Sequence, residues 1–507
     1  MHTGRSGRQG RALVCCRDLE ASSKGHRTIG NEQLASTVHM TAPLRRVLSV
    51  TSCAALVVSN MIGTGIFTTT GFLAGDLGRP LLVLGIWVVG GIVALAGCMA
   101  YAELGMNIPR AGGEYAYLRE AWGPGWAFLS GWVSFFAGFS APIAATAIAF
   151  SDYLGHYLPG LSRSSERQTH WSWLHTGGAV WVSIGVIFLF AGINILGVHL
   201  AARLQVLLTA VKLAVIGVFL IAAFGLGHGD WSHFQAATAR TSSHGVGAQF
   251  AVSLIFVMFA YSGWNAASYV AEEIKDPQRS LPLALLLGTG MVALLYVTLN
   301  VAFVYALPLG AMKGVVAVGA ASSDALFGQR IGDFFSAAMA GALLSSISAM
   351  SLVGPRVYYA MGRDGYFPAG AAQVNPRWGS PVKAIVYQAI AAGIMVLTGT
   401  FESLIYYIGF SLIIFAALAV AGLLRLRKRP RFQKLRVMNW GYPAIPLLFI
   451  GVSAWMLVWT FALRPRESSL GLVTIVCGAI FYHWRLRGAA GPMAGEKQEV
   501  APGGGSV

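Results

Sequence analysis

The chain is short of charge, of cysteine and of acid–base pairs, and each shortage excludes a class of protein. Only 11% of its 507 residues are Asp, Glu, Lys or Arg, against roughly 25% in an ordinary soluble chain. That is too little to cover a water-facing surface. Five cysteines at no framework spacing exclude a disulfide-built secreted fold. Disorder is excluded by an aromatic fraction of 11% and a hydrophobic fraction of 55%. The eleven histidines lie in tails, loops or the ends of apolar stretches, and no His-Glu-x-x-His pattern occurs. An intramembrane metalloenzyme or hydrolase therefore has no ligand set or nucleophile–base pair to work with. No metal site and no cofactor motif is read. The first 45 residues hold no apolar h-region, so they do not read as a cleaved signal.

What the sequence does have is apolar length. A bilayer core needs about 20 apolar residues per helix. Twelve stretches qualify: 47–76, 80–104, 124–154, 177–197, 199–226, 247–271, 281–307, 333–361, 381–400, 403–426, 440–463 and 469–486. Lys and Arg set the orientation. Of 36 such residues, 27 fall on the side of the two termini and eight on the other, which predicts both termini in the cytoplasm of a cell inner (plasma) membrane. The net charge of +16 is then an orientation signal, with no nucleic-acid partner implied. The basic run Arg425–Arg436 is placed against anionic lipid. The first 39 residues read either as a tail or as an extension upstream of a start at Met40; residues 488–507 are a Gly/Pro-rich tail.

Two stretches are interrupted. The first reads Ser59-Asn60-Met61-Ile62-Gly63-Thr64-Gly65-Ile66, the sixth Phe259-Ala260-Tyr261-Ser262-Gly263-Trp264-Asn265. Glycine costs about 1 kcal/mol against alanine inside a helix, and each unsatisfied backbone group in hydrocarbon costs several kcal/mol. Irregular backbone at mid-depth persists where it lines a cavity or is buried in protein. Gly90, Gly91, Gly131 and Gly341 read instead as close helix packing. Breaks at the first and sixth spans fit two five-span repeats. An odd number of spans inverts the second copy, and paired broken helices mark a transporter binding site. After the first break, the N–H groups of Gly63, Thr64 and Gly65 head a new half-helix that suits a carboxylate. Carbonyls freed before each break suit an ammonium. Together they match a zwitterionic amino acid.

Four segments carry a family resemblance: Asn60–Phe67; Pro109-Arg110-Ala111-Gly112-Gly113-Glu114-Tyr115 with Tyr117-Leu118-Arg119; Phe259–Asn265 continuing to Glu272-Glu273-Ile274-Lys275-Asp276-Pro277; and Gly354-Pro355-Arg356 through Pro368. In this order they resemble the amino acid–polyamine–cation superfamily, in its L-type amino acid transporter branch, over about residues 45–430. The resemblance implies an all-α integral membrane fold of 12 transmembrane helices. Residues 46–226 and 227–430 form the inverted repeats, with helices 1 and 6 broken, and 431–487 hold two extra helices. It places the carboxylate on the backbone of Gly63, Thr64 and Gly65. The amino group falls on carbonyls of Met61 or Ile62 and of Phe259 and Ser262, with Ala260 and Gly263 in the same break. Phe259 stands where the family has an aromatic gate. Serine at 262, where many members for large substrates have glycine, implies small neutral substrates such as Ala, Ser, Gly or Thr.

Lys212 sits about 13 residues from either end of the fifth span, too deep to snorkel, and a charge there costs at least ~2.5 kcal/mol. By resemblance its ammonium replaces a sodium ion between spans 1 and 8. Its implied partners are span 1 carbonyls near Asn60 and hydroxyls such as Ser345, Ser346 or Ser348, assisted by Tyr296. It is either a fixed cation or a titrating proton carrier. Eukaryotic members join a heavy chain through a cysteine between spans 3 and 4. Residues 155–176 hold none, so no disulfide-linked partner is expected. Glu272, Glu273 and Arg110 read either as a cytoplasmic gate or as ordinary loop ion pairs. The predicted function is secondary active transport of L-amino acids, as a sodium-independent exchanger of small neutral ones. The alternative is proton-coupled symport; a membrane-embedded enzyme, a channel or a non-transporting sensor are the readings from other classes.

Overall fold

The computed structural model describes residues 44–158, 176–315, 318–398 and 401–486. Nearly all of the predicted N-terminal tail, the C-terminal tail and residues 159–175 of the loop between spans 3 and 4 lie outside the described residues. Among the described residues there is no β-strand, only an isolated parallel bridge between Leu48 and Ile274.

The helices are α1 (Val50–Met61), α2 (Thr64–Leu77), α3 (Pro80–Asn107), α4 (Glu114–Trp122), α5 (Pro124–Val133), α6 (Ala141–Tyr157), α7 (Gly178–Ile195), α8 (Val198–Gly225), α9 (Val246–Ala260), α10 (Ala266–Tyr269), α11 (Pro277–Ala306), α12 (Leu309–Met312), α13 (Val318–Phe327), α14 (Gln329–Arg363), α15 (Val382–Thr398), α16 (Phe401–Leu426), α17 (Arg436–Gly441), α18 (Ala444–Leu463) and α19 (Pro465–Phe481). Proline opens α3, α5, α11 and α19, where its missing N–H would have had no intrahelical partner. Ser49 caps α1 by accepting from the N–H of Ser52 at 3.2 Å. Nine helical stretches among the described residues are long and apolar enough to cross a membrane, counting α1 and α2 as one; three shorter apolar helices accompany them.

Burial along α8 shows which solvent this fold suits. Its inward face carries Gln205, Thr209 and Lys212 among Val198, Ala201, Ile216, Phe219 and Ala223, three and four residues apart. Its exposed face carries Leu207, Val211, Val218 and Ile221. Polar groups inside and aliphatic groups outside invert the pattern of a water-soluble helix and suit lipid. The inward face packs on α1 and α14, while α1 also packs on α11, and α2 on α9. These contacts bring the two predicted breaks together.

A third irregularity joins them. Between α5 and α6 the backbone widens into a π-helical segment, Ser134–Ser140, and the Ala141 N–H donates to Phe136 O, five residues back. The cause is Pro142, which cannot donate to Gly138 and whose ring crowds that carbonyl.

Candidate functional site

α1 ends at Met61. Ile62 is extended (φ −76°, ψ 91°), Gly63 follows at φ −128°, and α2 starts at Thr64. No side chain caps α2, which leaves its first-turn N–H groups available to a ligand. The second break is longer. α9 ends at Ala260, residues 261–265 turn, and only the single turn α10 follows before Glu272 and Glu273. Gly263 has φ +96°, the left-handed region that favours glycine.

The two breaks pack directly on each other. A Cβ on Gly65 would lie 2.7 Å from Ala260 Cα, and one on Gly263 would lie 2.7 Å from Asn60 Cβ. Only glycine admits either approach. One hydroxyl links both breaks: Tyr296 Oη on α11 lies 2.5 Å from Met61 O and 3.0 Å from Ala260 O. Its ring is held edge-on to Trp87 at 5.4 Å and beside Tyr261 at 5.0 Å, and Tyr261 Oη donates to Trp87 O at 3.0 Å.

Lys212 is 1% exposed. Its ammonium donates to Ile62 O at 2.5 Å, Ser346 Oγ at 2.9 Å and Ser59 O at 3.3 Å, one acceptor for each N–H. Ser346, rather than Ser345 or Ser348, meets the ammonium, and its own hydrogen reaches Ile62 O at 2.7 Å. Ser345 pairs with the Ser59 hydroxyl and lies 3.4 Å from Gln205 Nε2. Ser348 is buried on the same helix. Thus the carbonyls of Met61 and Ile62, predicted as acceptors for a ligand's amino group, already accept from Tyr296, Lys212 and Ser346. Phe259 O likewise accepts from Ser262 N at 2.9 Å. Gln205 and Thr209 escaped the sequence reading, although their i, i+4, i+7 spacing with Lys212 marks one face of a helix.

A cavity lies beside the second break, lined by Asn60, Ser262, Gly263, Asn265 and Tyr269, by Ser134, Gly138, Phe139 and Pro142 of the π segment, and by Glu114, Met350, Val353 and residues of α16 and α18. Of the predicted substrate contacts, Ser262 and Gly263 line it. Met61, Ile62, Gly63, Thr64, Gly65, Phe259 and Ala260 are outside this lining, and Phe259 is half-buried. Phe139 and Tyr269, edge to face at 5.4 Å across the cavity, were missed. Pro142, four residues after Gly138, was the available signal.

At the α4 end of the bundle, ion pairs tie the segments together. Arg356 and Glu273, both fully buried, pair through two bonds of 2.7 and 3.2 Å. Glu272 pairs with Arg363 at 3.0 Å and accepts from Ala111 N at 3.3 Å. Arg110 reaches Asp364 rather than either glutamate, beside Arg119 and Tyr115. Glu273 O also accepts from the N–H groups of Val47 and Leu48, both at 2.9 Å. So one buried charge pair joins the end of the second break to α14, and the main chain of Glu273 holds the lead into α1.

Comparison with known proteins places this arrangement. A sequence profile described as amino acid permease matches residues 48–481. The chain is similar to the large neutral amino acids transporter small subunit 2 of Homo sapiens, 28% identical over 87% of this chain and 80% of that protein. It is similar to the Asc-type amino acid transporter 1 of Mus musculus, 28% identical over 88% of this chain and 82% of the relative. The serine/threonine exchanger SteT of Bacillus subtilis is 29% identical over 88% of this chain and 98% of its own length. With breaks, buried lysine and profile all within residues 48–481, the chain belongs to the amino acid permease family.

Proposed function

We propose that this protein is a secondary active transporter of L-amino acids: a sodium-independent exchanger of small neutral amino acids that works by alternating access. The observation that carries the reading is the crossing of two helix breaks, Gly65 on Ala260 and Gly263 on Asn60, with Lys212 bonded into the first. The substrate carboxylate sits on the free N–H groups of Gly63, Thr64 and Gly65. Its ammonium takes carbonyl acceptors around Ser262 and the lone pair left on Met61 O. Its side chain extends toward Ser262 and Gly263. Lys212 supplies a fixed positive charge between α1 and α14 that would otherwise require a captured cation. The names of the relatives, among them a serine/threonine exchanger, support a neutral amino acid as cargo, and a permease carries no reaction for the chain to catalyse.

The architecture is read as 12 spans with residues 46–226 and 227–430 as inverted repeats. Both termini face the cytoplasm across the plasma membrane, and no disulfide-linked heavy chain takes part. Purified protein in liposomes tests this: labelled serine should enter faster when the lumen holds unlabelled serine, without a pH or sodium gradient. Uptake indifferent to internal amino acid, and collapsed by an uncoupler, would favour proton symport. No uptake of any neutral amino acid would remove the transport reading.

A further inference from the structure

Glu114 is a carboxyl that the exchange cycle leaves unused. It is 4% exposed yet lines the cavity. Its position follows from the two residues before it. Gly112 and Gly113 have φ +99° and +49°; a Cβ on the first would lie 2.9 Å from Ala360, and one on the second 2.8 Å from Ser268 and Tyr269. Gly112 N donates to Tyr269 O at 3.0 Å. The pair wedges the start of α4 between α10 and α14 and turns Glu114 into the bundle, outside the apolar spans. Its Oε2 accepts from Tyr101 Oη at 2.5 Å and its Oε1 from Ser130 Oγ at 3.0 Å.

Both donors are neutral, and the titratable side chains around the carboxyl are phenols. Tyr101 comes from α3, Tyr117 from α4 itself, and Tyr269 from α10, with Tyr358 of α14 next to Tyr269. α5 offers only Ser130. Cations on the packed elements are engaged elsewhere: Arg356 with Glu273, Arg363 with Glu272, Arg110 and Arg119 with Asp364, and Arg425 of α16 over the Trp122 ring. Among the described residues Glu114 has no cationic partner. Burial pushes its carboxyl up to about 7, against the pull of the Tyr101 and Ser130 bonds.

We infer that Glu114 is a proton-binding site at the foot of the substrate cavity, coupled to the opening of that cavity at the α4 end. Separation of α10 or α14 from α3 and α5 lets water reach the carboxyl and returns it toward the ordinary glutamate range. The proton is therefore held more tightly in the closed arrangement seen here than in an open one. By linkage, acid favours the closed arrangement as pH falls through about 7, and base releases it. Opening at the α4 end then slows in acid. The effect on rate rests on the transport reading; proton binding itself does not.

The test uses full-length protein in liposomes and two readouts. In pH-difference infrared spectra, a carboxylic-acid C=O band should grow as pH falls through about 7 and vanish in Glu114→Gln. Exchange of labelled serine should change by about threefold or more between about pH 6 and about pH 8 in the wild type, and by less than about 1.5-fold in Glu114→Gln. Persistence of the band in Glu114→Gln, titration in the ordinary glutamate range, or an unchanged pH profile in that variant would each overturn the proposal. Should Glu114→Gln fail to insert, Glu114→Asp replaces it: a shifted band midpoint supports the assignment and an unshifted one overturns it. A titrating band in a protein that exchanges no amino acid would sink the transport reading and leave the proton site standing.

Discussion

Gly263 lies so tightly on Asn60 that a methyl group in place of its hydrogen would sit 2.7 Å from Asn60 Cβ and 2.9 Å from the Asn60 carbonyl carbon. Gly63, its counterpart in the first break, has only Ser346 Oγ near the same position, at 3.8 Å. The two glycines are thus unequal. Gly263→Ala adds a left-handed alanine, at about 1–2 kcal/mol, to a clash with backbone that cannot swing away. Exchange should fall at least ~tenfold in Gly263→Ala while Gly63→Ala stays within about 1 kcal/mol of wild-type stability. Thermal unfolding in detergent, beside liposome exchange, reads both. Equal tolerance at the two positions would refute the crossing.

Lys212→Ala should abolish exchange while leaving membrane insertion intact. The variant takes the ammonium from Ile62 O and Ser59 O, which keep only the Ser346 hydroxyl, at 2.7 and 3.1 Å, and removes the only charge in that part of the bundle among the described residues. Surface yield and exchange are measured on the same preparation; wild-type flux would eliminate the proposed role.

Tyr296→Phe keeps the ring against Trp87 and Tyr261 and deletes one oxygen. Both Met61 O and Ala260 O lose their shared donor, so the joint between the breaks loosens by about 1–3 kcal/mol. Maximal exchange should drop more than substrate affinity does. A change confined to affinity would mean that the hydroxyl serves the substrate instead.

Arg356→Ala leaves Glu273 charged and buried with no counter-ion, which costs about 3–5 kcal/mol. Replacing both residues, as Arg356→Met with Glu273→Leu, should recover most of that stability without restoring transport, since the end of the second break and α14 would lose their charged tie. A double-mutant cycle measures the coupling. A coupling below about 0.5 kcal/mol would show that the pair is incidental.

Ser262→Gly widens the cavity where Ser262 lines it. Competition by leucine or phenylalanine against labelled serine should improve by roughly tenfold, the range that one to two methylenes of pocket space command. Unaltered competition would move the side-chain pocket elsewhere.

Much of this was legible before any coordinates. Gly63 and Gly263 announce breaks because glycine beside small polar residues has no reason to sit in an otherwise aliphatic span. Lys212 announces itself because lipid penalises charge. Other features were hidden for equally physical reasons. Arg356 looked like one more cation in an orientation count, and only packing reveals that it enters the bundle to meet Glu273. Arg110 reaches Asp364 at the C-terminal end of α14, an acid more than 250 residues on that no local pattern pairs with it. The engagement of Met61 and Ile62 depends on α8 and α11 lying beside α1, a long-range relation that no local pattern encodes. Glu114 reads as a loop residue until that same turn is seen to fold it inward.

The ammonium of Lys212 is tethered to the backbone, so its effective concentration at the first break is set by a side chain's reach and not by the surrounding medium. A diffusible cation could be diluted away, replaced by a competitor or exhausted with its gradient. This one cannot dissociate, saturate or be dialysed out. Its occupancy needs no loading step, and changes in external salt have nothing to displace. In the proposed exchange cycle, work done on a cargo comes from other cargo, and an obligate swap of one molecule for another alters the mixture on each side of the bilayer while leaving the total unchanged.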